Sequence, residues 1–113
     1  MSRPTQKEIY ELAKSKGWHP EADQDDALTI DLILSKVALI HSELSEAVEE
    51  LRMGRARLWY DDKKPEGFGV EIADAVIRCY DLAGMLNIDL DKMIELKHNY
   101  NTTRSARHGG KLA

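Results

Sequence analysis

The chain has 113 residues, of which 32% are charged and 6% aromatic, with three prolines, one cysteine and a formal net charge of −4. That length supports one modest core and leaves no room for a second domain, so residues 1–113 read as a single domain. The composition suits helices better than sheet, and the acidic balance argues against a nucleic-acid polymer as partner. No apolar run reaches the roughly 18 residues that cross a bilayer, and the polar segment Met1 to Leu12 has no signal-peptide core. The expectation is a cytoplasmic protein without a membrane partner.

Taken in chain order, Pro4 and Thr5 open a short helix over residues 5–16, with Ile9, Leu12 and Ala13 as its apolar stripe and Gly17 as its stop. The stretch W-H-P-E-A-D-Q-D-D then reads as a loop, because Pro20 and the acids Glu21, Asp23, Asp25 and Asp26 break any pattern. Trp18, at its start, either caps the core or offers a stacking surface to a planar ligand such as a nucleobase.

A second helix is expected from near Asp26 or Ala27 to Met53, ending at Gly54. Ile30, Ile33, Val37, Ile40, Leu44, Ala47 and Leu51 recur at three and four residues, a coiled-coil-like seam. Glu43 and Glu46 lie on one flank of that seam, about 60° apart. Lys36 falls two turns before Glu43, and Glu50 two turns after it. Residues 54–69 read as a long connector, a solvated charged loop with Trp59 packed for stability; Arg55, Arg57 and Trp59 are its candidate ligand contacts.

The third helix, Phe68 to Leu86, is apolar or small almost all round. Its charges, Glu71, Asp74, Arg78 and Asp81, form one stripe. A helix apolar on nearly every side is buried on nearly every side, so this stripe needs partners or a metal. Cys79, in the same run, reads as a small buried hydrophobe. Asp89 caps a fourth helix from about Leu90 to Tyr100, with Met93, Leu96 and Tyr100 as its apolar face. Lys97, Asn101 and Arg104 share a face if that helix continues. Gly109-Gly110 ends regular structure, and Arg107, Lys111 and His108 join Lys97, His98 and Arg104 in a basic C-terminal segment.

Two carboxylate pairs thus lie on successive helices, Glu43 with Glu46 and Glu71 with Asp74, each at a spacing of three that shares a helix face. Packed side by side they make a four-carboxylate cluster, repulsive unless a cation fills it. Mg²⁺ or Mn²⁺, hard cations that prefer oxygen, are the natural occupants. The competing reading is a structural salt-bridge ladder through Arg78, but one arginine cannot neutralise so many acids.

These residues resemble the MazG-type all-α nucleoside triphosphate pyrophosphohydrolases. That family carries an E-x-x-E motif on one helix and E-x-x-D on the next; here they read Glu43-Leu44-Ser45-Glu46 and Glu71-Ile72-Ala73-Asp74. The fourth-helix segment K-H-N-Y-N-T-T-R and the closing H-G-G-K are similar to the small single-domain phage and bacterial branch. The similarity spans roughly residues 27–111, with a catalytic core of about 27–104 and a tail of 105–113.

The resemblance implies an all-α bundle of four to five helices completed by oligomerisation, as a homodimer or dimer of dimers. The activity it implies is Mg²⁺-dependent cleavage of a nucleoside triphosphate between the α and β phosphates. Glu43, Glu46, Glu71 and Asp74 would hold the metal, with Glu46 assigned to the attacking water. Lys97, Asn101 and Arg104 would grip phosphate or sugar, together with Arg78. Lys36 would either reach the same cluster or pair with Glu43. Two other classes remain open: a noncatalytic module that binds metal or nucleotide as a regulator, and a purely structural oligomerisation domain.

Overall fold

Helix starts in this chain coincide with short polar side chains that take the first free backbone N–H groups. The computed structural model describes residues 2–19 and 29–104. Thr5 caps α1 (Gln6–Ser15) in a reciprocal box with Glu8. Thr29 caps α2 (Ile30–Arg52), and Asp89 caps α4 (Leu90–Thr102). The helix α3 (Phe68–Met85) starts without a side-chain cap, at Gly67 with φ 120°. A Cβ at Gly67 would lie 2.5 Å from the carbonyl oxygen of Arg57, so only glycine fits there.

Between α2 and α3 the connector is not simply a loop. Trp59–Asp61 (β1) and Lys64–Glu66 (β2) pair antiparallel, with Trp59 opposite Glu66 and Asp61 opposite Lys64. Asp62 turns the hairpin in the left-handed region at φ 59°, which Asp tolerates better than most residues. Pro65 argues against a strand, yet a two-stranded ribbon has only edges, where a missing N–H costs little. The described residues are therefore mostly helical, broadly as the all-α expectation has it, with one small two-stranded ribbon.

The helix α3 is the hub, touching α1, α2, β2 and α4. Its contact with α2 runs through alanines: Ala47 and Ala75 are both buried, and their small side chains let the two backbones approach. α1 crosses α3 at Gly84, where an added Cβ would lie 2.8 Å from Cδ1 and 3.0 Å from Cβ of Tyr10. Gln6 of α1 fastens the turn into α4, donating to the Ile88 carbonyl at 2.7 Å and accepting from the Leu90 N–H at 3.0 Å. Tyr80, buried on α3, donates to Asp91 at 2.6 Å and accepts from Arg3 at 3.0 Å. Beyond these ties α4 touches α3 only lightly, and all its residues but Leu90 are exposed.

Three expectations need correction. Helix α2 begins at Ile30 rather than near Asp26 or Ala27, because Thr29 is already in the extended conformation of a cap. The apolar seam on α2 is not uniformly covered: Ala47 is buried and Ile33, Val37 and Ile40 are half-buried, while Ile30, Leu44 and Leu51 are exposed. Nor is α3 covered all round, since Val76 and Ile77 are 42% and 43% exposed. The acidic loop residues Glu21, Asp23, Asp25 and Asp26, and the tail residues Arg107, His108 and Lys111, lie outside the described residues. None of the described helices is long and apolar enough to cross a membrane.

The tight crossing at Gly84 gives a direct test. Gly84→Ala should destabilise the fold by roughly 1–3 kcal/mol through overpacking against Tyr10, despite alanine's better helix propensity. Gly69→Ala, also on α3 but with nothing within 4 Å, should instead gain up to about 1 kcal/mol. Urea melts of the two variants give the comparison; equal signs would contradict the packing described.

Candidate metal centre

The face of α2 that meets α3 carries Glu43, Ala47 and Glu50, spaced by four and three residues. The facing side of α3 carries Glu71 and Ala75. Glu43, Glu50 and Glu71 are all buried, with relative exposures of 8%, 8% and 7%. Between the two helices, Glu43, Glu46 and Glu71 each bring a carboxylate oxygen within 4.8 Å of the others. Two unit charges at such a distance repel by about 4 kcal/mol at an effective dielectric near 20. The predicted convergence of the two motifs is therefore present for three of the four acids.

Asp74 stands one helical turn from Glu71 and is half-buried, outside the close trio. Its carboxyl is nonetheless raised above the ordinary value, by burial first and then by repulsion from Glu43, with Arg78 pulling the other way. Glu66, from the hairpin, adds to that repulsion, so β2 brings a further acid toward the cluster that the sequence did not flag.

Glu71 is the most perturbed group. Burial, a hydrogen bond with Glu46 and the charges of Glu46, Asp74 and Glu43 push its carboxyl up to about 7. Its Oε2 atom is buried with no hydrogen-bond partner among the described residues. A buried acceptor without a donor costs on the order of 1–3 kcal/mol. A cation with oxygen preference would satisfy that oxygen and offset the repulsion together, so the residues present fit a divalent metal.

The other charged side chains sort into distinct roles. Arg78 Nε donates to Glu43 Oε1 at 2.8 Å, so Arg78 pairs with the E-x-x-E helix and not with Glu71. Lys36 neither reaches the cluster nor pairs with Glu43; its Nζ donates to the Trp18 carbonyl at 3.0 Å, held there by the turn that follows α1. Trp18 does not cap the core, since the residue is 61% exposed while its backbone N–H bonds back to Ala13. Its neighbour His19 lies 2.7 Å from Asp81 and packs its ring 4.8 Å from that of Tyr10. That pair accounts for the end of the α3 stripe.

Glu50, two turns from Glu43, belongs to another network. Arg55 Nε donates to it at 2.7 Å and Trp59 Nε1 at 3.4 Å, and the Arg55 guanidinium stacks over the Trp59 ring at 5.2 Å. These contacts make Arg55 and Trp59 props of the hairpin. The i, i+7 spacing of Glu43 and Glu50 was the available sign that Glu50 faces inward.

Lys97 and Asn101 line an open groove of about 390 Å³ on α4 with Met93, Ile94 and His98. The helix ends at Thr102, so Arg104 follows the cap instead of continuing the helical face. Lys97 and Arg104 flank the Tyr100 ring at 5.0 and 5.7 Å. Among the described residues no hydrogen bond or ion pair joins these groups to the carboxylates. No known protein family, curated protein or solved structure matches the chain.

The pKa of Glu71 yields a signed expectation. Its folded value, about 7, lies above the ordinary 4.5, so the contribution of this group to stability is full below 4.5 and is lost as pH rises through about 7. In EDTA the melting temperature should fall across that window. Glu71→Gln, which cannot ionise, should lose that dependence and melt at neutral pH as high as the parent or higher. Millimolar Mg²⁺ should raise the parent's melting temperature and that of the variant much less. A variant that melts several degrees lower in EDTA, with a parent indifferent to Mg²⁺, would contradict the metal centre.

Proposed function

We propose that the protein is a Mg²⁺-dependent nucleoside triphosphate pyrophosphohydrolase of the MazG-like kind. The observation that carries this reading is the trio Glu43, Glu46 and Glu71, drawn within 4.8 Å from two E-x-x-E/D motifs, with the unpartnered Glu71 Oε2 at its centre of burial. Three buried or converging acids have no value to a fold on their own. They gain one when a cation must be held against a polyphosphate.

Glu43, Glu46 and Glu71 would hold the ion, with Asp74 one turn away as the fourth acid. When bound, Mg²⁺, or Mn²⁺ in its place, offsets the charge of the phosphate oxygens and lowers the pKa of a coordinated water. Glu46, the exposed member of the trio, takes the proton of the attacking water. The water oxygen bonds to the α phosphorus, the bond from that phosphorus to the α–β bridging oxygen breaks, and pyrophosphate leaves with the electron pair. Lys97 and Asn101 of α4, and Arg104 just beyond it, supply donors for phosphate or sugar. The exposed indole of Trp18 supplies a stacking face for the base.

The site is completed by a second copy in this reading. Leu44, Val48 and Leu51 of α2, and Val76 and Ile77 of α3, are 42–54% exposed, although they flank the carboxylates on the same two helices. Apolar faces on helices whose inner sides are acidic gain their burial from another chain. A homodimer or dimer of dimers in the cytoplasm would also give the lightly held α4 a partner to pack on. The noncatalytic alternative, a helical module that binds metal or nucleotide, shares the same cluster and differs in turnover.

A panel of canonical and modified nucleoside triphosphates with pyrophosphate detection separates the two. Pyrophosphate release in Mg²⁺, abolished by EDTA and nearly all lost in Glu71→Gln, is the expected result; binding without turnover would favour the module. Light scattering should report at least a dimer at micromolar concentration, and a well-folded monomer would contradict the assembly.

A further inference from the structure

Among the three clustered acids, Glu43 alone has a cationic partner among the described residues. Arg78 reaches it from α3, one turn beyond Asp74 and two beyond Glu71, so the ion pair ties α2 to α3 at the level of the cluster. The bond is made by Nε alone, at 2.8 Å to Oε1. The two ends differ in burial: the Glu43 side chain is 11% exposed and that of Arg78 is 44% exposed. The carboxylate thus sits inside and the guanidinium at the rim.

We propose that Arg78 is a positioning residue for Glu43: its guanidinium fixes the carboxylate in the orientation that a divalent cation shared with Glu46 and Glu71 requires. The inference rests on the metal-site reading above and reassigns Arg78 from phosphate grip to ligand support. An ionised carboxylate has about four lone-pair sites, so one donated hydrogen bond leaves room for a metal. A glutamate has three side-chain torsions to hold still, and Ala47, the nearest buried neighbour on its own helix face, offers no polar hold. Arg78 supplies that hold from the opposite helix.

A second effect of Arg78 has the opposite sign. Its positive charge repels a cation, so deleting it for electrostatic reasons alone would tighten metal binding. The rim position decides between the two effects, because water screens a charge that is nearly half exposed, while the hydrogen bond still restricts Glu43. Outer partners that orient metal ligands typically account for about 10–100-fold in affinity. Orientation therefore outweighs repulsion.

Mn²⁺ titration of the full chain by calorimetry, with no nucleotide present, tests this. Arg78→Gln, which removes the guanidinium, should weaken Mn²⁺ binding by about 10–100-fold. Arg78→Lys, which keeps the charge without the planar Nε donor, should fall between that variant and the parent. Binding by Arg78→Gln as tight as the parent's, or tighter, overturns the proposal; a lower melting temperature with an unchanged Mn²⁺ affinity would mark the pair as merely structural and overturn it equally. Should Arg78→Gln fail to fold, Arg78→Lys decides by the same criterion. A parent that takes up no Mn²⁺ overturns the metal-site reading and this inference with it, whereas a binding parent with an unaffected variant overturns this inference alone.

Discussion

The constraint on which this structure turns is the burial of glutamates between α2 and α3. Glu43, Glu50 and Glu71 lie at the contact where a small helical protein ordinarily places leucine. Buried acids are tolerated only when paired, hydrogen-bonded or bound to a cation. Two of the three meet one of those conditions within the chain. Glu50 is satisfied by Arg55 and Trp59, and Glu43 by Arg78. Glu71 is left with an oxygen that no donor among the described residues reaches.

The rest of the architecture accommodates that interface. Ala47 and Ala75 fill the space between the acids, because small side chains let the helices come close enough for the carboxylates to meet. The hairpin carries Trp59 onto Glu50 and Glu66 toward Asp74, so the connector helps to shape the charged face. α1 closes the other end of α3, where Gly84 admits Tyr10 and His19 takes up Asp81. Several large apolar side chains lie on the outer sides of the same helices. Leu44, Val48 and Leu51 lie about 80–140° round the helix from Glu43 and are exposed in the single chain. An acidic interior and an apolar exterior are two sides of one arrangement.

Much of this was legible before any coordinates. Capping residues and glycine stops placed α1, α2 and α4 to within a few residues, since Thr5, Asp89, Gly17 and Gly54 act on the backbone beside them. Matched spacing of the two acidic pairs predicted the convergence seen for Glu43, Glu46 and Glu71, whereas the stripe on α3 runs from buried Glu71 to exposed Arg78. The hairpin escaped because Pro65 and the charged run around it carry no alternating pattern.

What the sequence by itself determined is which residues share a helix face, for that follows from the periodicity of a single helix. Which face meets which neighbour was decided only by tertiary structure. The seam of α2 and the acidic flank beside it are both regular, and periodicity cannot say that the flank is the side turned toward α3. Ion-pair partners were likewise undecided. Arg78 could have met Glu71, and Lys36 could have met Glu43; the relative placement of the helices sends Arg78 to Glu43 and Lys36 to the Trp18 carbonyl. Long flexible cations take whichever acceptor the packing brings within reach, and that is a property of the assembled helices rather than of any one of them.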